Sequence, residues 1–259
     1  MPRQRVMLLD ADPDLAEGIP GEELELARQH AVARVLQLDG PIWNPEPVIQ
    51  ASEPGSLGLF QLEGLMIRRV RVGKRLACEL LGPGDIVRPW DADGEYDPLP
   101  ISLDWLVVRP TRLAVLDTAF ALRVARWPQI TAHLLGRIAQ RARNLALAQA
   151  VTHLPRTHPR LLMLFWILAD RWGTVSGEGV RVNLPLTHET LAMLVGSRRP
   201  TVTIALQRLA RAGLLIRESN NRWLLTTRAI ELLAHPERLG VPEDETRSEQ
   251  LVPPRAGVP

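Results

Sequence analysis

THETLAMLVGSRRPTVTIALQRLAR, residues 187–211, carries two helical patterns separated by a glycine. Thr187 suits an N-cap, Glu189 suits the positive end of a helix dipole, and Leu191, Leu194 and Val195 form an apolar face. Gly196 breaks that pattern, and Ser197 is positioned to cap a second helix. There Val202, Ala205, Leu206 and Leu209 recur at helical spacing, and Pro200 falls in the first turn, where a missing N–H costs little. Arg199, Thr203 and Gln207 lie on the opposite face. A helix anchored on one side and led by arginines and hydroxyls suits the DNA major groove, because arginine can donate two hydrogen bonds to guanine. An ordinary helix pair with a solvated basic face would share this pattern, so the flanks decide. Leu214-Leu215-Ile216 follows Gly213, then polar Arg217 to Arg222 with an Asn220-Asn221 turn, then Trp223-Leu224-Leu225: a β-hairpin, or wing.

The run Leu-Thr-x-Glu-x-Leu-Ala-x-Leu-Val-Gly-x-x-Arg-x-Thr-Val from Leu186, followed by Leu-x-x-Leu-x-x-x-Gly-Leu-Leu from Leu206, resembles the winged helix–turn–helix of the Crp/Fnr superfamily of bacterial transcription regulators. The strong match spans residues 184–227. The resemblance implies that Arg199 reads a guanine and that positions 200 and 204 set sequence preference. Pro200 and Ile204 replace the acidic and basic residues of the best-known members, which implies a different target sequence. The DNA-contacting set is Thr187, His188, Ser197, Arg198, Arg199, Pro200, Thr201, Thr203, Ile204, Gln207, Arg208 and Arg211, with Arg208 and Arg211 as phosphate contacts.

Charge is partitioned along the chain. Residues 1–126 hold 14 Arg/Lys and 19 Asp/Glu, whereas residues 127–232 hold 14 and 5, so the second segment is the one suited to a polyanion. The single cysteine, Cys78, excludes an internal disulfide framework and a CxxC metal site, and points to a reducing, cytoplasmic setting. No apolar run approaches the roughly 18 to 20 residues of a membrane span, and acids follow the N-terminus too soon for a secretory signal.

The chain divides into four parts: 1–126, 127–156, 157–234 and a tail, 235–259, whose Pro-, Glu- and Arg-rich composition predicts disorder. Residues 1–40 are acidic and partly helical, with Leu24, Ala27, Ala31 and Val35 approximating a helical stripe. From Pro41 the pattern becomes β-like. Val48-Ile49, Leu57 to Leu62, Leu65 to Val72, Arg75 to Leu81 and Trp105 to Leu116 are short runs, with turns at Glu63-Gly64, Gly73-Lys74 and Gly82-Pro83-Gly84-Asp85. Pro128 opens a long helix with two apolar stripes, Leu134, Ile138 and Leu145, and Ala132, Leu135, Ala139, Ala142 and Ala146. A hinge at Pro155 to Pro159 precedes a supporting helix from Arg160 to Trp172, and Val180 to Leu186 reads as β.

The fold class is therefore α+β, and the resemblance implies an N-terminal β-roll like that of cyclic-nucleotide-binding domains, a long dimerisation helix and a C-terminal winged helix–turn–helix. Leu80 to Val87 is the β-roll's most recognisable piece. The family's cyclic-nucleotide binders continue with Phe-Gly-Glu and a phosphate-gripping arginine, whereas Arg88-Pro89-Trp90-Asp91-Ala92-Asp93-Gly94-Glu95 is acidic and would repel phosphate, so cyclic AMP is not expected as effector. Arg88, Trp90, Trp105 and Arg109 are candidates for another small-molecule effector. Leu134, Leu135, Ile138, Ala142 and Leu145 are candidates for the interface of a homodimer. No cofactor is expected, metal included, because the family's iron–sulfur sensors use several cysteines and His133, His153 and His158 are scattered. Expected partners are double-stranded DNA, a second copy of the chain and, for an activator, RNA polymerase. The alternative is a small-molecule-binding or protein-interaction module whose winged domain does not read DNA. An enzyme is disfavoured, since no Ser/His/Asp set, Walker loop or metal-ligand spacing is found.

Overall fold

Two long antiparallel strands, Gly58–Val72 and Ile101–Leu116, organise the first half of the molecule. The computed structural model describes residues 4–92, 101–219 and 222–233. The expected Asn220-Asn221 turn, residues 93–95 of the acidic stretch and the tail 235–259 lie outside them.

The chain opens with β1 (Arg5–Met7), α1 (Leu8–Ala11), a 3-10 turn (Pro13–Ala16) and α2 (Gly21–His30). Next come β2 (Val32–Leu38), β3 (Ile42–Trp43), α3 (Glu46–Gln50), β4 (Gly58–Val72), β5 (Arg75–Leu81) and β6 (Ile86–Val87). A 3-10 turn (Pro89–Ala92) precedes β7 (Ile101–Leu116), α4 (Thr118–Val124) and α5 (Pro128–Thr152). The second half comprises α6 (Thr157–Trp172), β8 (Gly173–Ser176), β9 (Gly179–Val182), α7 (His188–Leu194), α8 (Arg199–Arg211), β10 (Leu215–Ser219), β11 (Arg222–Thr226) and α9 (Thr227–Leu233).

Among the described residues the first sheet has seven strands in the order β1-β2-β7-β4-β5, with β3 on β7 and β6 on β4. The fold is α+β: an N-terminal β-roll, one long helix and a winged helix–turn–helix. Several local expectations are corrected. The anticipated turn at Glu63-Gly64 lies inside β4, where pairing with β7 shifts register between Gln61 and Met66. Gly64 has φ +93°, and a Cβ there would sit 2.3 Å from Thr111 Oγ1, so glycine permits a bulge that bends the ribbon instead of reversing it. Val48-Ile49 is helical, in a short segment whose start is fixed by Asn44 Oδ1 accepting from the Glu46 amide at 3.1 Å. Ala31 and Val35 do not continue the helical stripe of Leu24 and Ala27, because α2 stops at His30 and β2 then pairs with both β1 and β7. The supporting helix begins at Thr157 rather than Arg160, and only 180–182 of the expected 180–186 segment is strand, in β9.

One apolar core runs across the junction of the two halves. Leu65, Ile67 and Leu80 of the β-roll join Leu161, Phe165 and Leu168 of α6 and the buried side of the helix–turn–helix. Polar contacts reinforce it. Asp85, buried in the turn before β6, accepts from the Gly82 amide at 2.8 Å and from Arg171 Nη2 at 2.6 Å. Trp172 lies so close to Gly82 that a Cβ there would approach its ring to 2.9 Å. On the long helix, Arg141 pairs with buried Glu79, which Arg68 also meets at 2.8 Å, and Arg137 reaches Asp12 at 2.9 Å. Burial holds the Arg68 guanidinium below its usual pKa range, with Glu79 opposing that shift.

Candidate DNA interface

The second helix of the pair contains Thr201-Val202-Thr203-Ile204, a β-branched run that weakens helix propensity by several tenths of a kcal/mol per residue. Tertiary burial outweighs that cost. Val202, Ala205, Leu206 and Leu209 are all buried in the shared core, at roughly 1 to 3 kcal/mol for each large side chain. Thr203 also donates its hydroxyl to the Arg199 carbonyl at 3.1 Å, the backbone bond available to a helical threonine.

The turn that presents this helix is pinned from several sides. Thr187 caps α7, its Oγ1 accepting from the Thr190 amide at 3.0 Å. Gly196 takes φ +61°, and Arg160 ties the segment to the end of the long helix by donating to the Leu154 carbonyl at 2.6 Å and the Val195 carbonyl at 3.2 Å. Ser197, which the sequence positions as the cap of α8, does not cap it. Arg198 occupies the N-cap without a side-chain cap bond, and the Ser197 hydroxyl faces Thr157 Oγ1 at 3.3 Å.

Arg198, Arg199, Pro200, Thr201, Ile204, Gln207, Arg208 and Arg211 are exposed, Ser197 and Thr203 half-buried. Ile204 is 68% exposed, an unusual place for an aliphatic side chain and a suitable one for meeting a thymine methyl. His188 of α7 contacts this helix directly, with Nδ1 2.9 Å from Thr203 Oγ1. Burial, followed by the charges of Arg217 and Arg199, holds the His188 pKa below its ordinary value.

The wing adds what the sequence reading did not single out. β10 and β11 form the expected hairpin, but β11 also pairs with β9, and β9 with β8, giving a four-stranded sheet. Arg217 on β10 lies over Trp223 at 5.3 Å and joins Thr187, His188, Glu189 and Arg199 around a concavity of about 460 Å³. A basic residue entering a wing was the available signal for it.

The other proposed sites fare differently. Arg88 donates to the Ser56 carbonyl at 2.7 Å and lies over Trp90 at 5.4 Å, so those two residues are together. Trp105 is instead core, 3% exposed and edge-on to Trp43 at 5.3 Å. Arg109 donates to the Asn183 carbonyl at 2.9 Å and thus bridges to the winged half. These four do not form one effector site. On α5, Leu134 is 2% exposed inside its own β-roll core and is unavailable to a second copy; Ile138 packs partly on the same core. Leu135, Ala142 and Leu145 are exposed. Among the described residues no three His, Cys, Asp or Glu side chains gather as a metal site, and no helix is long and apolar enough to cross a membrane.

Residues 159–235 match the model of the Crp-like helix-turn-helix domain. Over 175 residues the chain is 34% identical to a protein of Mycobacterium tuberculosis described as a CRP-like cAMP-activated global transcriptional regulator, covering 64% of this chain and 74% of that protein. Among solved structures, a CooA mutant from Carboxydothermus hydrogenoformans aligns with TM-score 0.59 at 16% identity, over 88% of this chain and 94% of that one. FixK2 from Bradyrhizobium japonicum aligns with TM-score 0.56 at 16% identity, over 77% and 96%. These distant structures share the fold.

Proposed function

This chain belongs to the Crp/Fnr superfamily of DNA-binding transcription regulators, and from that premise we propose that it acts as a homodimer whose paired α8 helices read a two-fold symmetric operator. The observation that carries this reading is the polarity of α8, which buries Val202, Ala205, Leu206 and Leu209 and offers Arg199, Ile204 and Gln207 to solvent. Arg199 donates to a guanine, Ile204 and Thr203 fill the adjacent groove, and Arg208, Arg211 and the wing's Arg217 contact phosphates. Helix α5 supplies the dimer contact through Leu135, Ala142 and Leu145, setting two recognition helices about one DNA turn apart. RNA polymerase is a further partner if the protein activates. The reading assigns no catalytic step to any residue.

Cyclic AMP, which activates the mycobacterial relative, is not the effector in this proposal. Arg88 is committed to backbone carbonyls and Trp90, Arg109 to Asn183, and Arg112 to Glu63 at 2.6 Å, so these arginines do not converge on one phosphate. Selection of bound sequences from a random DNA pool tests the operator: a two-fold motif with half-sites one turn apart is expected, and no enrichment would overturn it. Calorimetry with cyclic AMP tests the second point, where tight saturable binding would overturn it.

A further inference from the structure

Arg5 and Arg34 face each other directly across the antiparallel β1–β2 pair. Like charges at facing positions repel, and among the described residues neither guanidinium has an ion pair or hydrogen bond. Arg123 of α4 comes to the same place, held by the carbonyls of Val32 at 2.6 Å and His30 at 3.4 Å. These arginines, with Gln29 and Asp117, line a concavity of about 360 Å³. The Asp117 carboxylate already accepts from the Phe120 amide at 2.8 Å as the cap of α4. Among the described residues that line this lobe, three guanidiniums stand against one carboxylate, an excess of two positive charges.

A second hollow, of about 180 Å³, adjoins it and shares Arg34 and Asp117. Its lining is of another kind: Trp90, Val48, Val115 and Ala119 give it an apolar wall, and Glu53 is its further carboxylate. One lobe is suited to a dianion and the next to a small ring system, while Glu53 disfavours an anion in the second.

We propose that this two-lobed groove binds a small phosphomonoester, its phosphate between Arg5, Arg34 and Arg123 and its apolar ring against Trp90 and Val48. Arginine forks match phosphate oxygens, and the dianion relieves the repulsion between Arg5 and Arg34. The groove is separate from the DNA-reading face and borders α4, which leads through 125–127 into α5.

The test uses the full chain without DNA, so its outcome does not depend on operator binding. Inorganic phosphate, the head alone, and 1-naphthyl phosphate, the head with a ring, are titrated at constant ionic strength and followed by NMR. Expected are one saturable event per chain, shifts mapping to β1, β2 and α4, and tighter binding of 1-naphthyl phosphate. Arg5→Gln/Arg34→Gln should weaken both probes at least tenfold without lowering the melting temperature, because a repulsive pair is removed; Arg34→Gln alone should show the same trend. Ala119→Trp, which fills the apolar lobe, should weaken 1-naphthyl phosphate at least tenfold and leave phosphate unchanged. Shifts confined to α8, no saturation, or undiminished affinity in the arginine variants would overturn the proposal.

Discussion

His188 of α7 and Thr203 of α8 meet through Nδ1 and Oγ1 at 2.9 Å, joining the two helices of the DNA-reading unit at its exposed edge. The Thr203 hydroxyl has one proton and donates it to the Arg199 carbonyl. Satisfying both contacts requires His188 Nδ1 to donate, which leaves Nε2 with a lone pair in the neutral ring.

That arrangement predicts a pH dependence of DNA binding. The His188 pKa is lowered below 6.5 by burial and by Arg217 and Arg199. The unfolded chain therefore binds more protons at this site, so its contribution to stability falls as pH drops below about 6.5. A DNA phosphate opposes the two arginine charges and favours a proton on Nε2, so the complex takes up protons. Operator affinity should rise as pH falls through that range, by up to about tenfold per pH unit for each half-site. His188→Gln should flatten the profile, measured by fluorescence anisotropy at fixed ionic strength; an unchanged slope would mean that His188 takes up no proton on binding.

Arg199 and Arg211 should fail in different ways. Arg199→Ala should cost about 1 to 3 kcal/mol at one base position and relax preference there. Arg211→Gln should weaken all sequences alike and lower the slope of log affinity against log salt by about one. Parallel operator titrations would distinguish these, and a sequence-independent loss for Arg199→Ala would reassign it to the backbone.

The ion pair of Asp85 with Arg171 should control how firmly the two halves hold together. Asp85 is 5% exposed, and removing one partner of a buried pair costs about 3 kcal/mol. Asp85→Asn and Arg171→Met should each lower the melting temperature, and Gly82→Val should do so by driving a side chain into Trp172. Calorimetry would read this directly; unchanged unfolding in all three would mean that the apolar core alone secures the junction.

What could be read from sequence follows from how local each signal is. The pair α7–α8 was legible because cap, glycine break and apolar spacing all lie within 25 consecutive residues. The β4 bulge was not, since Gly64 reads as a turn until Thr111 is known to lie against it. The same limit explains Leu134 and Leu135, neighbours of similar chemistry that only the packing of α5 assigns to core and surface. Trp105 and Arg109 share one strand, but their roles diverge through contacts with Trp43 and Asn183, far away in sequence. The His188–Thr203 contact spans only 15 residues, yet needs the crossing of two helices to become visible.

The exposed stripe of α5 has the character of a helix-pairing edge. Leu135 is 60% exposed and Leu145 39%, with exposed Ala142 between them in sequence, an apolar edge that small side chains allow another helix to approach closely. Two copies of the chain joined there would place both reading units on one face of DNA, and the second contact would then gain from effective concentration. Leu135→Glu would bury a charge in that contact while leaving Leu134 in its own core. Sedimentation should show the dimer replaced by monomer, with far-UV circular dichroism unchanged and operator affinity lower by on the order of a hundredfold. A monomeric wild-type chain, or a Leu135→Glu variant that remains dimeric, would require a different surface to pair the winged domains.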